Sequence, residues 1–257
     1  MIALGTLLLT LPISSRHGRL DVLNAMFTAT SATCVTGLVV RDTWTQFTWF
    51  GQAVVLLLIQ VGGLGLVTLT SFFALAMRRR MGFRDLRLLG ESVSADGYDQ
   101  AKNVLKIVVG LAAMFEGIGI LLLMFAFVPQ FGLEGVWISV FTAISAFCNA
   151  GFDLFGRFGA YSSLVPYVNN YYVQAVIMFM IISGGLGFMV WVELCQWYQK
   201  RRLSLHAKVV LSFSVILWVG GAVLLGLMEW NNPASMGGLS VPDKIMAALF
   251  QSVSTRT

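Results

Sequence analysis

Two four-residue segments of this 257-residue chain have a composition suited to binding a cation through backbone oxygens. Loop 1 consists of Cys34, Val35, Thr36 and Gly37, and loop 2 of Cys148, Asn149, Ala150 and Gly151. A dehydrated cation needs oxygens from consecutive residues directed at one axis, and glycine adopts the backbone angles of such a loop with the least strain. Because neither loop contains a carboxylate, the residues predict coordination by peptide carbonyls rather than by charged side chains.

Both loops end a repeated sequence pattern. Seven residues recur in the same order 114 positions later: Phe27, Thr28, Ala29, Ser31, Ala32, Cys34 and Gly37. A third copy matches at Phe250 and Ser254. Two glycine motifs also correspond, at residues 62–65 and 184–187. The repeat predicts an architecture of similar units. The glycine motifs are predicted to pack against a short helix, since small residues let membrane helices approach closely, with hinge motion as the alternative.

The stretches before the loops are apolar but too short to cross a membrane. Residues 22–33, 135–147 and 244–253 number 10 to 13 each, whereas a spanning helix needs about 20. Such lengths predict re-entrant helices, whose loops must be enclosed by protein or line a water-filled cavity. The C-terminal end of each short helix then points at its loop, where the macrodipole favours a cation. Asp42 and Asp153 follow the loops and are expected to raise the cation concentration at the mouth.

Composition places these stretches in a membrane protein. Hydrophobic residues make up 57% of the chain and charged residues 11%. Soluble domains carry about 25% charged residues, so the composition argues against a soluble enzyme, a disordered chain and a nucleic-acid binder. Four segments reach or approach the spanning length: residues 51–77, 104–128, 171–198 and 209–228. Residues 1–11 are expected to be the tail of a span that begins upstream.

Basic residues predict the orientation of these spans. Eleven of the 17 Lys and Arg lie in two loops: Arg78, Arg79, Arg80, Arg84, Arg87, Lys102 and Lys106, then Lys200, Arg201, Arg202 and Lys208. By the positive-inside rule both loops are cytoplasmic. The run of arginines at 78–80 is also expected to contact lipid headgroups, with a cytosolic partner as the alternative.

These predictions divide the chain into four parts. Residues 1–77 form a first repeat with a truncated first span, and residues 78–101 a cytoplasmic linker. Residues 102–198 form a complete second repeat. Residues 199–257 form a third repeat that is cut within its loop.

Two ionisable residues allow more than one interpretation. Glu116 lies in the middle of a predicted span, where an ionisable group is costly and suggests function. It is either a proton or sodium relay or a group satisfied by a neighbouring helix or the filter backbone, and we favour the second. Arg256, which aligns with Thr33 and Phe147, either faces the ion path or, as we favour, points behind the loop and holds carbonyls or a carboxylate. Gln60 is interpreted as structural.

Potential metal ligands have plainer interpretations. Cys34 and Cys148 are equivalent in the repeat, which suggests a metal site or a disulfide. Metal sites usually take three or four ligands, and neither loop contains a histidine or a carboxylate. We therefore interpret both cysteines as small loop residues whose carbonyls bind the cation. His17 and His206 are interpreted as residues at the membrane border.

The chain resembles the Trk/Ktr/HKT family of potassium transporters. The runs 33–38, 147–152 and 254–257 are similar to the filter segments of that family, most of all to those of the bacterial Ktr-type membrane subunit. The glycine motifs and Asn231, Asn232 and Pro233 fit the same resemblance. It implies an all-α membrane protein in which helix, pore loop and helix repeat pseudo-fourfold about a central pore, incomplete here. Thr257 would open the third filter, and the remaining unit would lie beyond it.

The resemblance also implies an activity and partners. The protein would be the potassium-translocating subunit of an uptake system in the bacterial inner membrane, with no enzymatic activity and no cofactor beyond the transported K⁺, with Na⁺ as a second ion. It would contact lipid, form a homodimer and dock on a cytosolic ring of nucleotide-binding regulatory subunits of the RCK/KTN type. No nucleic acid is expected.

Two other classes compete with this interpretation. A secondary transporter with re-entrant hairpins, coupled to Na⁺ or H⁺, predicts inverted repeats and a midplane polar cluster, and the constant offsets between same-direction units oppose it. An intramembrane enzyme predicts paired aspartates, a serine with a base, or a His-Glu-x-x-His helix, and the sequence contains none of these.

Overall fold

The computed structural model describes residues 1–65, 95–187, 190, 191, 193–195, 197 and 203–256. Its helices are α1 (Ile2–Thr10), α2 (Val22–Cys34), α3 (Thr43–Gln46), α4 (Trp49–Gly63), α5 (Ala95–Phe131), α6 (Leu133–Phe147), α7 (Tyr171–Gly185), α8 (Leu205–Glu229) and α9 (Val241–Arg256). Within the described residues there is no strand, only an isolated antiparallel bridge between Ser15 and Phe47. The protein is therefore helical, as its sequence predicts.

Two of these helices are long and apolar enough to cross a bilayer. They cover Val108–Phe131 and Leu205–Glu229, with 24 and 25 residues. The apolar helices α4, α6 and α7 have 15 residues each, which is short of a full crossing. The described residues thus form two long apolar helices and several shorter ones.

The predicted spans 51–77 and 171–198 are interrupted at their glycine motifs. Helix α4 ends at Gly63 and α7 at Gly185. Gly65 and Gly187 then have φ of +81° and +84°, a left-handed conformation that ends a right-handed helix. Among the described residues, Gly65 is again helical after the first interruption, and residues 190 and 191 are helical after the second. The basic cluster of residues 78–87 and most of the predicted linker 78–101 lie outside the described residues.

Side-chain caps fix where several helices begin. Thr48 accepts a hydrogen bond from the Gly51 N–H at the start of α4. Asn170 accepts from Val173 N–H at the start of α7, and Ser204 from Ala207 N–H at the start of α8. Each cap satisfies one of the free N–H groups of the first turn.

The short helices that precede the loops are held between neighbours. Helix α2 packs against α1 and α4, and α6 packs against α5 and α7. Helix α4 also packs against α6, and α7 against α9. The second helix of one sequence repeat therefore supports the short helix of the next, which brings loops 1 and 2 together.

Candidate cation site at the two glycine loops

Loops 1 and 2 leave their helices with the same backbone conformation. Val35 and Asn149 both have φ of +57°, and Gly37 and Gly151 have φ of +71° and +72°. The left-handed region is unusual for a β-branched residue such as valine. Matching angles in two loops that differ at their two middle residues indicate one backbone geometry built twice.

Equivalent hydrogen bonds hold this geometry. Thr36 donates its N–H to the Ser31 carbonyl at 3.0 Å, and Ala150 donates to the Ser145 carbonyl at 2.8 Å. Each bond joins residues five apart, as in the Schellman motif that ends many helices. The loops are therefore tied to the last turns of α2 and α6.

The two loops meet at their glycines. A Cβ atom added to Gly37 would lie 2.9 Å from the Ala150 carbonyl oxygen and 3.3 Å from Gly151 Cα. A Cβ atom added to Gly151 would lie 3.1 Å from Gly37 Cα. No side chain fits between them, so the close approach requires glycine on both sides.

A cavity of about 340 Å³ adjoins the paired loops. Thr36, Asn149, Asp153 and Ser163 supply polar groups to its wall. Ile177 and Ile181 of α7 and Phe250 of α9 supply apolar groups. The wall of the cavity therefore combines polar residues of the two loops and their surroundings with apolar side chains of α7 and α9.

The third sequence copy approaches the same cavity through α9. Ser254 lies in its wall. Arg256 is turned to α8, where its Nη2 donates to Ser214 Oγ at 2.7 Å and its guanidinium lies 5.4 Å from the Trp218 ring centre. Thr257 lies outside the described residues.

The glycine motifs lie directly behind the loops. Gly62 touches the Thr33 carbonyl at the end of α2, and Gly184 touches the Phe147 carbonyl at the end of α6. Gly63 also lies against the Cys148 side chain. Helices α4 and α7 can approach this closely because glycine carries no side chain.

The two carboxylates that follow the loops have different surroundings. Asp42 is buried, and its oxygens accept hydrogen bonds from Thr45 N–H at 2.8 Å and Tyr161 N–H at 3.1 Å. Asp153 lies in the cavity wall. Burial, and to a lesser degree the negative charge of Asp42, raises the pKa of Asp153 above its ordinary value. The structure places only Asp153 at the cavity, while Asp42 joins two outer loops.

A pair of glutamines was not singled out by the sequence reasoning. Gln52 donates to the Phe47 carbonyl at 3.1 Å, and Gln174 donates to the carbonyls of Tyr167 and Val168. They hold the outer loops that precede α4 and α7. The 122-residue offset that relates the glycine motifs also relates these two glutamines. This offset is the sequence signal that could have identified them.

The remaining candidates form no metal centre in the described part of the chain. No group of three or more His, Cys, Asp or Glu side chains there is placed to hold a metal ion. Cys34, Cys148 and Cys195 are free thiols. Glu116 is buried and contacts Gln60 of α4.

The described residues form long apolar helices and paired glycine loops, as expected of a membrane protein. The profile of the TrkH family, described as cation transport protein, matches residues 2–257. The chain belongs to this family.

Several relatives support the same assignment. The chain is 37% identical over 257 residues to the Ktr system potassium uptake protein B of Bacillus subtilis, covering 100% of this chain and 56% of the relative. It is 35% identical over 259 residues to the potassium/sodium uptake protein NtpJ of Enterococcus hirae, covering 100% and 56%. It is 37% identical to the Ktr system potassium uptake protein B of Vibrio alginolyticus, covering 98% and 55%. The chain thus spans about half the length of these curated relatives.

Proposed function

We propose that this chain forms part of the potassium-translocating subunit of an uptake system, and that K⁺ passes loops 1 and 2. The observation that carries the proposal is the close approach of Gly37 and Gly151, in two loops of equal backbone conformation. Two loops of matching φ angles that approach each other can offer equivalent sets of carbonyl oxygens to one ion.

The electrostatics of the short helices support a cation at this place. Helices α2 and α6 both end at the loops. The C-terminal end of a helix carries roughly half a negative charge. No carboxylate belongs to either loop, so the ion would be selected by carbonyl dipoles while Asp153 attracts it to the cavity. Potassium would move passively along its electrochemical gradient, without covalent chemistry or a cofactor.

The relatives' length and names support a proposal about the assembly. Because the chain covers 56% of two of them, we propose that further units complete a pseudo-fourfold ring, with α9 leading into a third loop at Thr257. The relatives named for a Ktr system support a multi-component transporter. We propose a homodimer in the bacterial inner membrane on a cytosolic, nucleotide-binding RCK/KTN-type ring.

A Gly37→Ser substitution tests the site. The added side chain would meet loop 2 and displace it. A loss of about 1–3 kcal/mol in K⁺ binding relative to Na⁺ binding corresponds to about a 5- to 150-fold change in ion preference. The complete open reading frame would be expressed in bacteria that lack their own potassium uptake, and K⁺ and Na⁺ uptake measured. We expect the K⁺-to-Na⁺ uptake ratio to fall.

Gly18→Ser is the matched control. Gly18 also has a positive φ, of +88°, but a Cβ atom there would have no neighbour within 4 Å. Gly18→Ser places a side chain on a residue of positive φ, as Gly37→Ser does, but without a contact to loop 2. An unchanged ion preference in Gly37→Ser, with normal amounts in the membrane, contradicts the proposed site.

A further inference from the structure

Glu116 is a buried carboxyl group within a membrane-spanning helix. Its side chain is 8% exposed, and Val108–Phe131 of α5 is long and apolar enough to cross the bilayer. Gln60 of α4 donates from Nε2 to both carboxyl oxygens, at 2.8 and 3.0 Å. The pair joins two helices from different sequence repeats.

The described helices around Glu116 offer no positive charge to balance an ionised carboxylate. Helix α4 contains no ionisable residue, and those of α7 are Tyr171 and Tyr172 at its start. Helix α6 has Glu134 in its first turn, and the Cys148 thiol at its end is near enough to Glu116 to interact with it electrostatically. On α5 itself, Lys106 is ten residues away, about 15 Å along the helix. An unpaired charge in this environment is costly.

One hydrogen-bond acceptor of Gln60 has no donor. Its Oε1 atom is buried and accepts no hydrogen bond. An ionised carboxylate is only an acceptor and cannot serve this atom, whereas a protonated carboxyl has one O–H to donate. A rotation about the terminal torsion of either side chain, which is a soft torsion, would let the acid donate to Oε1 while it accepts from Nε2.

We propose that Glu116 carries its proton at neutral pH and forms a neutral acid–amide pair with Gln60. In this form both partners are satisfied, and no charge is left in the apolar interior. Glu116 is then a positioning residue that holds α5 to α4, not a group that attracts or relays the transported cation.

The pair is placed to position loop 2. Gln60 precedes by about one helical turn Gly63, which lies against the Cys148 side chain. Phe115, next to Glu116, stacks on Phe147 with ring centres 6.0 Å apart. The neutral pair therefore sets the distance between the two helices that contact the start of loop 2 from behind.

Infrared difference spectroscopy on the complete protein tests the protonation state directly. We expect wild-type protein at pH 7 to show a carbonyl-stretch band of a protonated carboxylic acid that is absent in Glu116→Gln. The matched control, Glu134→Gln, removes a half-exposed carboxylate paired with Arg157 and should leave the band in place. A wild-type spectrum without this band overturns the proposal.

Uptake measurements test the positioning role, and this arm rests on the proposed potassium transport. Glutamine has the shape of the neutral acid and can donate to Gln60 Oε1, so Glu116→Gln should keep wild-type uptake and ion preference at every pH tested. Gln60→Leu leaves the acid proton without an acceptor, which should lower the K⁺-to-Na⁺ uptake ratio at least about fivefold. Loss of uptake or of ion preference in correctly inserted Glu116→Gln would mean that the negative charge is required, and overturns the proposal.

The two arms separate the possible failures. Wild-type protein that transports no potassium contradicts the proposed function, but it leaves the infrared result intact. If Glu116→Gln does not accumulate in the membrane, wild-type protein labelled with ¹³C-glutamate replaces it. A shift of the band on labelling then supports a protonated glutamate, and an unshifted spectrum contradicts it.

Discussion

Loops 1 and 2 share a backbone shape but differ in how they are enclosed. The last residues of both depart from their helices with nearly equal φ angles and the same five-residue hydrogen bond. In loop 2, however, Ala150 is 0% exposed and Phe152, just beyond, 3%. In loop 1 the equivalent Thr36 is exposed, and Leu38 is 61% exposed.

The side-chain hydrogen bonds of the two loops also differ. In loop 2 the hydroxyl of Ser145 donates to the carbonyl of Phe152, outside the loop, at 2.5 Å. In loop 1 the hydroxyl of Ser31 pairs with the hydroxyl of Thr36 at 2.8 Å. The comparison teaches that local sequence sets the shape of each loop, while helices from neighbouring repeats set its burial.

The largest expected effect is predicted for the glycines that pack behind both loops. Gly62→Ala and Gly184→Ala would each place a methyl group on the carbonyl at the end of a short helix. We expect a loss of stability at or above the upper end of the about 1–3 kcal/mol typical of overpacking, with uptake falling in parallel. Thermal unfolding in detergent and uptake in cells measure the two effects.

The control for these substitutions is Gly117→Ala, since a Cβ atom on that helical glycine would have no neighbour within 4 Å. Alanine favours a helix by about 1 kcal/mol over glycine, so this variant should be neutral or more stable. Equal unfolding temperatures and equal uptake in all three variants would show that the glycine motifs do not support the loops.

A medium effect tests the difference between the loops. Ala150→Thr adds atoms and a hydroxyl at a fully buried position, which we expect to cost about 1–3 kcal/mol. Thr36→Ala removes one hydrogen bond at an exposed position and should cost about 1 kcal/mol or less. The unfolding temperatures of both variants provide the measurement. If Thr36→Ala is the more damaging change, the assignment of loop 1 as the less enclosed loop is wrong.

The smallest expected effect distinguishes the carboxylates that follow the loops. The pKa of Asp153 is raised by burial and by Asp42, so the folded protein binds this proton more tightly than the unfolded chain does. That contribution to stability is complete below the unfolded pKa of about 3.9 and is lost as pH rises through the higher folded pKa. Asp153→Asn should remove this pH dependence from thermal unfolding.

Uptake should depend on Asp153 in the opposite direction, because only the ionised form attracts cations. At low K⁺, uptake should decline as pH is lowered through the raised pKa, and Asp153→Asn should keep the lower rate throughout. Asp42→Asn serves as the comparison: it loses one acceptor for a backbone N–H and costs about 1 kcal/mol of stability. Because it also removes a negative charge that raises the pKa of Asp153, it should move the decline of uptake to lower pH without abolishing it. A pH-independent wild type would contradict the role of Asp153.

Some features could be predicted from the sequence because they depend on nearby residues. Gly37 and Gly151 identify both loops, and the short apolar stretches before them become α2 and α6. The interruption of the predicted spans at Gly63 and Gly185 was missed. Hydropathy reports that a segment is apolar, but it does not report that Gly65 and Gly187 adopt a left-handed backbone.

The sequence by itself determined the class of the protein, the repeat, and the places where helices give way to glycine loops, because composition, spacing and backbone freedom are properties of adjacent residues. Only the tertiary structure decided that Gly37 meets Gly151, that Glu116 pairs with Gln60, and that Asp42 is occupied by a distant backbone N–H. Such contacts join residues more than 50 positions apart. They depend on how the helices pack, and no pattern of neighbouring residues encodes them separately.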